Sequence, residues 1–504
     1  MMSAWLIGGA DAIQSDIEPQ LDDTQSYKKL DLDEKLALFL TTAAKNLAAA
    51  LNTSFESLRP FITDYISVGA SIYERHHTMD VSKKASMLGL SDIELHSIDL
   101  GGASIPAALE TAQRLCTQGD RLVLIAGAEV PRGGPTGIAY YREISDALLH
   151  KNTELHTHTN LISLYALMAD RMIFEEGVTV EDVEAITRHY RAAAVDDQRA
   201  AVCGKTFREG ELKRYLAGCY ATPMVAVATD HGAAFLVASE NMLERLRTAG
   251  FELQSPLAIR GVGTNSAAKY LTQRRDFRSP AALAAERAFA RARLTPGDVD
   301  YAWIYDCFTL MLVRQAADYF GQNAQAAAQT LRSGYLQNGT KKILVNRRGG
   351  ILNTQAAISL SAASGLLDIL GYARENNEAQ HFFFGGNGGI DTINSVALLS
   401  RAAEIPVPAT ISRPTVPAEC RPGMEGEELR LYAAVMVRFN PGTEVPFALG
   451  AFRRSDGTLF LARILDSAGQ TPTDTDQFVR DKALFRLRVE NNDTVFAIEV
   501  KTEG

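Results

Sequence analysis

Short apolar runs closed by glycine or polar turns alternate along the chain with stretches whose apolar positions recur at helical spacing. Residues 122–126 form one such run, ended by Gly127, after a helical stretch over 105–117. Val180–Ala194 and Ala281–Ala292 read as amphipathic helices, the second stopping before Pro296 and Gly297. Residues 235–238 and 395–399 read as buried strands, and 4–10 as a first strand. This alternation predicts a layered α/β fold.

Two blocks repeat one order: strand, helices, strand, then a glycine-bearing turn into a last apolar strand. The first ends at Asp230-His231-Gly232-Ala233-Ala234-Phe235, the second at Gly385-Gly386-Asn387-Gly388-Gly389 and the strand after it. An internal duplication follows as an expectation, with halves 1–245 and 250–402. Pro406, Pro408, Pro414, Pro417 and Pro422 then forbid a helix or central strand and predict an extended linker over 403–428. Beyond it, β-prone segments at 429–437, 447–452, 459–464, 484–489 and 494–500 are separated by turns such as Asn440-Pro441-Gly442 and Asp456-Gly457. They predict a small β-domain over 429–504, a five-stranded barrel of the oligonucleotide/oligosaccharide-binding (OB-like) shape. That shape also serves as a plain packing module and does not imply nucleic acid.

The formal net charge of −9 over 504 residues argues against a general nucleic-acid surface. No stretch reaches the roughly 20 apolar residues of a membrane span. The apolar start has no basic flank and meets Asp11, so it is not read as a secretion signal, and a cytoplasmic protein is expected. Cys116, Cys203, Cys219, Cys307 and Cys420 are scattered without metal-ligand spacing, and no metal is expected. His156 and His158 alternate in a polar loop with no carboxylate at a telling spacing. His231 and His381 read as structural. Arg347, Arg348, Arg274 and Arg275 could approach phosphates, but paired loop arginines are more often solvated.

One ordered series of motifs carries a resemblance. Leu100-Gly101-Gly102-Ala103-Ser104 opens a helix, and Gly119-Asp120-Arg121 leads to a strand ending Gly127-Ala128-Glu129. Tyr165-Ala166-Leu167-Met168-Ala169, Asp230 to Ala234, Tyr305-Asp306-Cys307-Phe308, Asn346-Arg347-Arg348-Gly349-Gly350 and Gly385 to Gly388 follow. Together they resemble the thiolase superfamily over about residues 4–402. Tyr305-Asp306-Cys307-Phe308 is similar to the His-Asp-Cys-Phe of the sterol-carrier-protein-linked thiolases. The C-terminal β-domain resembles the extra domain of type-one thiolase-like proteins. The resemblance implies a duplicated five-layered αβαβα fold, coenzyme A thioester ligands and acyltransferase ancestry. A homodimer or a partner subunit is possible on the same grounds.

The departures decide the chemistry that the resemblance leaves. Gly102 stands at the nucleophilic cysteine, Ala356 at the activating histidine and Phe383 at the second cysteine. A nucleophile and its base are both missing. Ser104 has no base near it in sequence and reads as a helix N-cap. The family's oxyanion site uses backbone N–H groups, and Gly102, Gly385 and Gly386 occupy those places, although glycines there also simply permit tight turns. Tyr305, beside Asp306 and Cys307, is the candidate proton-transfer group or else a packed aromatic. Three readings stand: enolate (aldol-type) chemistry on an acyl-coenzyme A without an acyl-enzyme; non-catalytic binding of an acyl-coenzyme A or lipid-derived thioester, or scaffolding; and acyl transfer through an unorthodox nucleophile, Cys307 or Ser104.

Overall fold

The computed structural model describes residues 3–21, 26–69, 79–132, 138–253, 255–402, 422–438, 446–476, 478, 480–490 and 494–500. The first strands are β1 (Ala4–Ile13), β2 (Asp64–Val68), β3 (Glu94–Ile98) and β4 (Leu122–Glu129). A short hairpin, β5 (Tyr215–Ala217) and β6 (Tyr220–Ala221), precedes β7 (His231–Ser239). The next six are β8 (Leu257–Ser266), β9 (Tyr301–Ile304), β10 (Tyr335–Asn338), β11 (Lys341–Val345), β12 (His381–Gly388) and β13 (Ile393–Ser400).

The same order occurs twice. In the first set β1 pairs antiparallel with β7 and β7 with β4, while β4, β2 and β3 run parallel. In the second, β8 pairs antiparallel with β13 and β13 with β12, while β12, β9 and β11 run parallel. The two sets meet where β1 pairs with β8 at Trp5↔Ala258 and Leu6↔Leu257, giving one 11-stranded sheet. β4 and β7 are buried at every residue, as strands covered on both faces must be.

Helices separate and cover the strands. Helix Leu32–Ala50, begun by a reciprocal Asp31–Glu34 capping box, packs on the outer face of the first set. Helices Ser104–Cys116 and Ala363–Glu375 lie between the sets, and one buried cluster joins Ile105 and Leu109 to Trp303 and Leu366. Helices Ala281–Ala292 and Thr309–Phe320 cover the outer face of the second set. The stretch after β7, expected as a boundary, begins with helix Glu240–Thr248, capped by Ser239.

The C-terminal strands are β14 (Glu428–Val437), β15 (Phe447–Arg453), β16 (Leu459–Leu465), β17 (Leu484–Glu490) and β18 (Thr494–Glu499). They close a five-stranded barrel in the order β14-β15-β16-β18-β17 and back to β14, antiparallel except for β16–β18. β14 also pairs with β5 at Val437↔Ala217, so the barrel is hydrogen-bonded to the α/β body. Its outer wall, including Tyr432, Val435, Leu449 and Leu461, shares a core with helix Leu161–Glu176. The proline-rich stretch lies outside the described residues as far as residue 421, Cys420 included. No described helix is long and apolar enough to cross a membrane.

Candidate functional site

The turn before helix Ser104–Cys116 comes from the first set of strands, and the ends of β9 and β12 come from the second. They meet at a cavity of about 760 Å³ lined by Gly102, Tyr165, Tyr305, Cys307, Ala356, Ser361 and Asn387, with an apolar wall that includes Leu148, Leu161, Ile351 and Ile390. Ser266 and Lys269 are exposed on its lining.

Gly102 is packed too closely for any side chain. A Cβ there would overlap the Tyr305 ring and the Asn387 carbonyl oxygen. The phenol ring therefore fills the space that a nucleophile at position 102 would need. Gly386 lies against the same turn, where a Cβ would stand 2.6 Å from the Gly102 carbonyl oxygen. Ala356 lines the cavity and donates its N–H to Thr229 Oγ1 at 2.8 Å.

Tyr305 is 7 % exposed and follows β9, its N–H bonded to the Gly385 carbonyl at 3.1 Å. Burial first, then Cys307, raises its phenol above the ordinary tyrosine value, with the Ser361 hydroxyl opposing. The phenol keeps its proton at ordinary pH. Burial also raises the Cys307 thiol, with Tyr165 opposing. Tyr165 projects from helix Leu161–Glu176, capped by Asn160 and ended by Gly177. Its hydroxyl donates to the Gly389 carbonyl at 2.8 Å, and its ring stacks on Phe308 with centroids 4.2 Å apart.

Other expected residues lie elsewhere. Asp306 does not line the cavity: its Oδ1 accepts the Ile351 N–H at 2.7 Å beneath the Gly349-Gly350 turn. Burial pushes its carboxyl up to about 8. Phe383 packs among Phe289, Tyr319 and Phe320 on the outer face of β12, and Gly385 faces the same side, against Tyr319. Ser104 is the first helical residue rather than the N-cap. Its hydroxyl donates back to the Gly101 carbonyl at 2.6 Å and accepts the Leu100 N–H at 2.8 Å. Arg347 pairs with Asp368 and Glu375, and Arg348 with Asp197. Arg274 is buried and holds the Ile390 carbonyl at 2.8 Å, so it braces the cavity wall. His156 stacks on Phe460 and bonds the Leu461 carbonyl at 3.0 Å, fastening the barrel, and burial pushes it down to about 4. His231 pairs with Asp11, and His381 Nδ1 bonds Ser400 Oγ at 2.8 Å.

Asp64, Glu94 and His96 converge on β2 and β3 outside the cavity. Arg121 takes both carboxylates there, at 2.8 Å from Glu94 and 3.5 Å from Asp64.

Sequence reasoning left Tyr165, Ser361 and Asn387 out of the site. The signals available were a phenol in the largely apolar first half of its helix, and Ser359 and Ser361 just beyond Ala356.

Residues 263–401 match the thiolase C-terminal domain-like family. Over 150 residues the chain is 29 % identical to an acetyl-CoA acetyltransferase of Methanothermobacter thermautotrophicus, covering 29 % of this chain and 38 % of that protein. In fold it is similar to a monomeric SCP2-thiolase-like protein type 1 from Mycobacterium smegmatis, with TM-score 0.72, 16 % identity and 99 % of each chain covered. An Ltp2–ChsH2(DUF35) aldolase matches with TM-score 0.59 and 16 % identity over 79 % of this chain and 97 % of that one. Human mitochondrial 3-ketoacyl-CoA thiolase matches with TM-score 0.57 and 12 % identity over 80 % and 99 %.

Proposed function

For a chain of the thiolase superfamily in fold, with residues 263–401 as its C-terminal domain, we propose binding of an acyl-coenzyme A thioester and carbon–carbon bond chemistry through an enolate, without an acyl-enzyme. The observation that carries this reading is the exchange at Gly102: a tyrosine ring stands where a nucleophilic side chain would be, and that tyrosine lines the same cavity as Ala356. The described lining residues include no histidine.

Cleavage of a 3-hydroxyacyl thioester moves one proton from the substrate hydroxyl to the α-carbon. The electron pair of the breaking C2–C3 bond passes through an enolate on the thioester oxygen. An enolate needs hydrogen-bond donors at that oxygen and a group to carry the proton, but no covalent step. Burial keeps Tyr305 protonated, so it would pass its own proton to the α-carbon and take the substrate hydroxyl proton in its place. Gly102 and Gly386, with backbones in close approach, stand beside it as the candidate oxyanion turns, and Gly385 contributes by holding the Tyr305 backbone. Cys307 and Ser104 are poor nucleophiles here, one raised by burial and the other engaged with its own turn. Asp306 acts beneath the Gly349-Gly350 turn rather than on substrate.

Retro-aldol cleavage of 3-hydroxyacyl-coenzyme A esters, followed by appearance of the carbonyl product, tests the reading. Tyr305→Phe should lower turnover by roughly 10²–10⁴-fold with ligand binding nearly intact. Full activity in that variant would reduce Tyr305 to a packed aromatic. Bound ligand with no turnover in either protein would favour a binding protein or scaffold.

A further inference from the structure

We propose that the acyl group of the ligand is a long hydrocarbon chain lying along one apolar wall of the cavity, and that Leu148 sets how much of it fits. The inference rests on the thioester reading above and names the acyl class which that reading leaves open.

A cavity of about 760 Å³ has the size that takes a whole drug-sized ligand, not only the few atoms about a thioester carbon. Its walls differ in chemistry. Ile144, Ala147 and Leu148 recur at helical spacing on one face of helix Ile138–Leu148, and Leu161 and Ile390 join them on the lining. Thr392 and Asn387 line the cavity too, but their polar groups are engaged: Arg274 donates to the Thr392 hydroxyl at 3.2 Å, and the Asn387 amide donates to Asp391. The arm of coenzyme A carries amides and phosphates, which lose their hydrogen-bond partners against hydrocarbon at a cost that an acyl chain does not meet. Asp99, Ser359 and Ser361 form a polar part of the lining, where Ser359 Oγ donates to Asp99 Oδ1 at 2.6 Å. The arm belongs with those groups, and the apolar wall is left to the acyl chain.

That wall is braced. Arg274 holds the Ile390 carbonyl from behind at 2.8 Å. Just past the helix, Thr153 Oγ1 and Thr272 Oγ1 are 2.9 Å apart, and the Thr272 N–H donates to Glu154 Oε1 at 3.1 Å. The His150 and Tyr270 rings meet edge to face at 4.9 Å. Leu148 is the last residue of the helix and only half-buried, so its size can change without opening the core. From Ile144 to Leu148 the face runs one helical turn, about 6 Å.

The test measures dissociation constants of 3-hydroxybutanoyl-, 3-hydroxyoctanoyl- and 3-hydroxydodecanoyl-coenzyme A on the full chain. Affinity should rise about fourfold for each added methylene between the first two esters. Leu148→Trp, which narrows the wall, should lower the dodecanoyl-to-butanoyl affinity ratio at least tenfold. Where that variant fails to fold, Leu148→Ser carries the test and should lower the same ratio about threefold to tenfold. Equal affinity for all three esters overturns the acyl class and leaves the thioester reading standing. A chain-length gain that the folded Leu148 variants do not alter overturns the role of Leu148 and of its wall. Failure of the wild-type chain to bind any of the esters overturns the thioester reading, and the acyl class with it.

Discussion

At the scale of single residues, Gly102 and Tyr305 are sterically coupled. A side chain at 102 has no room while the ring is present, because both neighbours of the missing Cβ lie inside contact distance. Gly102→Cys should therefore lower stability by about 1–3 kcal/mol by overpacking, and adding Tyr305→Ala should recover part of that loss. Thermal unfolding of the two variants checks the coupling; equal loss in single and double variants would deny it. Asp306 gives a pH prediction. Its folded value of about 8 lies above the ordinary 3.8, so the folded chain keeps a proton that the unfolded chain has lost. Its contribution is fully present below the unfolded value and fades as pH rises through about 8. Asp306→Asn, which resembles the protonated acid, should fold normally at neutral pH and flatten that decline in unfolding midpoints. Motif order alone identified Gly102, Ala356, Tyr305 and Cys307, and all four line the cavity. It could not assign Phe383 and Gly385 a side of β12. Alternate residues of a strand face opposite ways, so a residue one step from Gly386 or Phe384 faces the outer core.

At the scale of elements, helix Leu161–Glu176 links the barrel to the cavity. One end offers Leu161 and Tyr165 to the cavity. Farther along, Asp170 accepts the Ala434 N–H at 3.1 Å and Arg480 Nη2 at 2.8 Å, and Arg171 donates to the Tyr432 carbonyl at 3.1 Å. Asp170→Ala would strand the mostly buried Arg480. The cost should be about 2–4 kcal/mol, below that of a fully buried pair because Asp170 keeps some solvent. Hydrogen exchange should quicken at β14 amides while β4 and β7 stay protected. Uniform exchange across all of them would show that the barrel is not held through this contact. Helices with clear periodicity were legible to the residue: Val180–Ala194 and Ala281–Ala292 have the bounds their spacing predicts. The barrel strands were legible from alternation and turn residues. The hairpin β5–β6 was not, since strands of three and two residues carry no period and exist because β14 offers an edge.

At the scale of the whole molecule, two strand sets of like order bring a turn from one and strand ends from the other to a shared cavity. Helix Ser104–Cys116 starts at that junction. The backbone turns at that cavity are fixed by packing between the sets, so the cavity does not depend on a side chain at position 102. The intact chain should then carry no acyl group after incubation with acetyl-coenzyme A. Acylation needs a thiolate or an activated hydroxyl. Burial raises the Cys116, Cys219 and Cys307 thiols, so none is ionised near neutral pH. The Ser104 proton is committed to the Gly101 carbonyl, and the described cavity lining supplies no histidine to draw it off. Intact-mass measurement should show the unmodified chain, while a small alkylating agent marks Cys203, which is exposed. A stoichiometric acetyl adduct mapped to Cys307 would mean that ligand binding lowers the thiol enough to react. The chain would then be an acyltransferase with a displaced nucleophile rather than a catalyst of enolate chemistry.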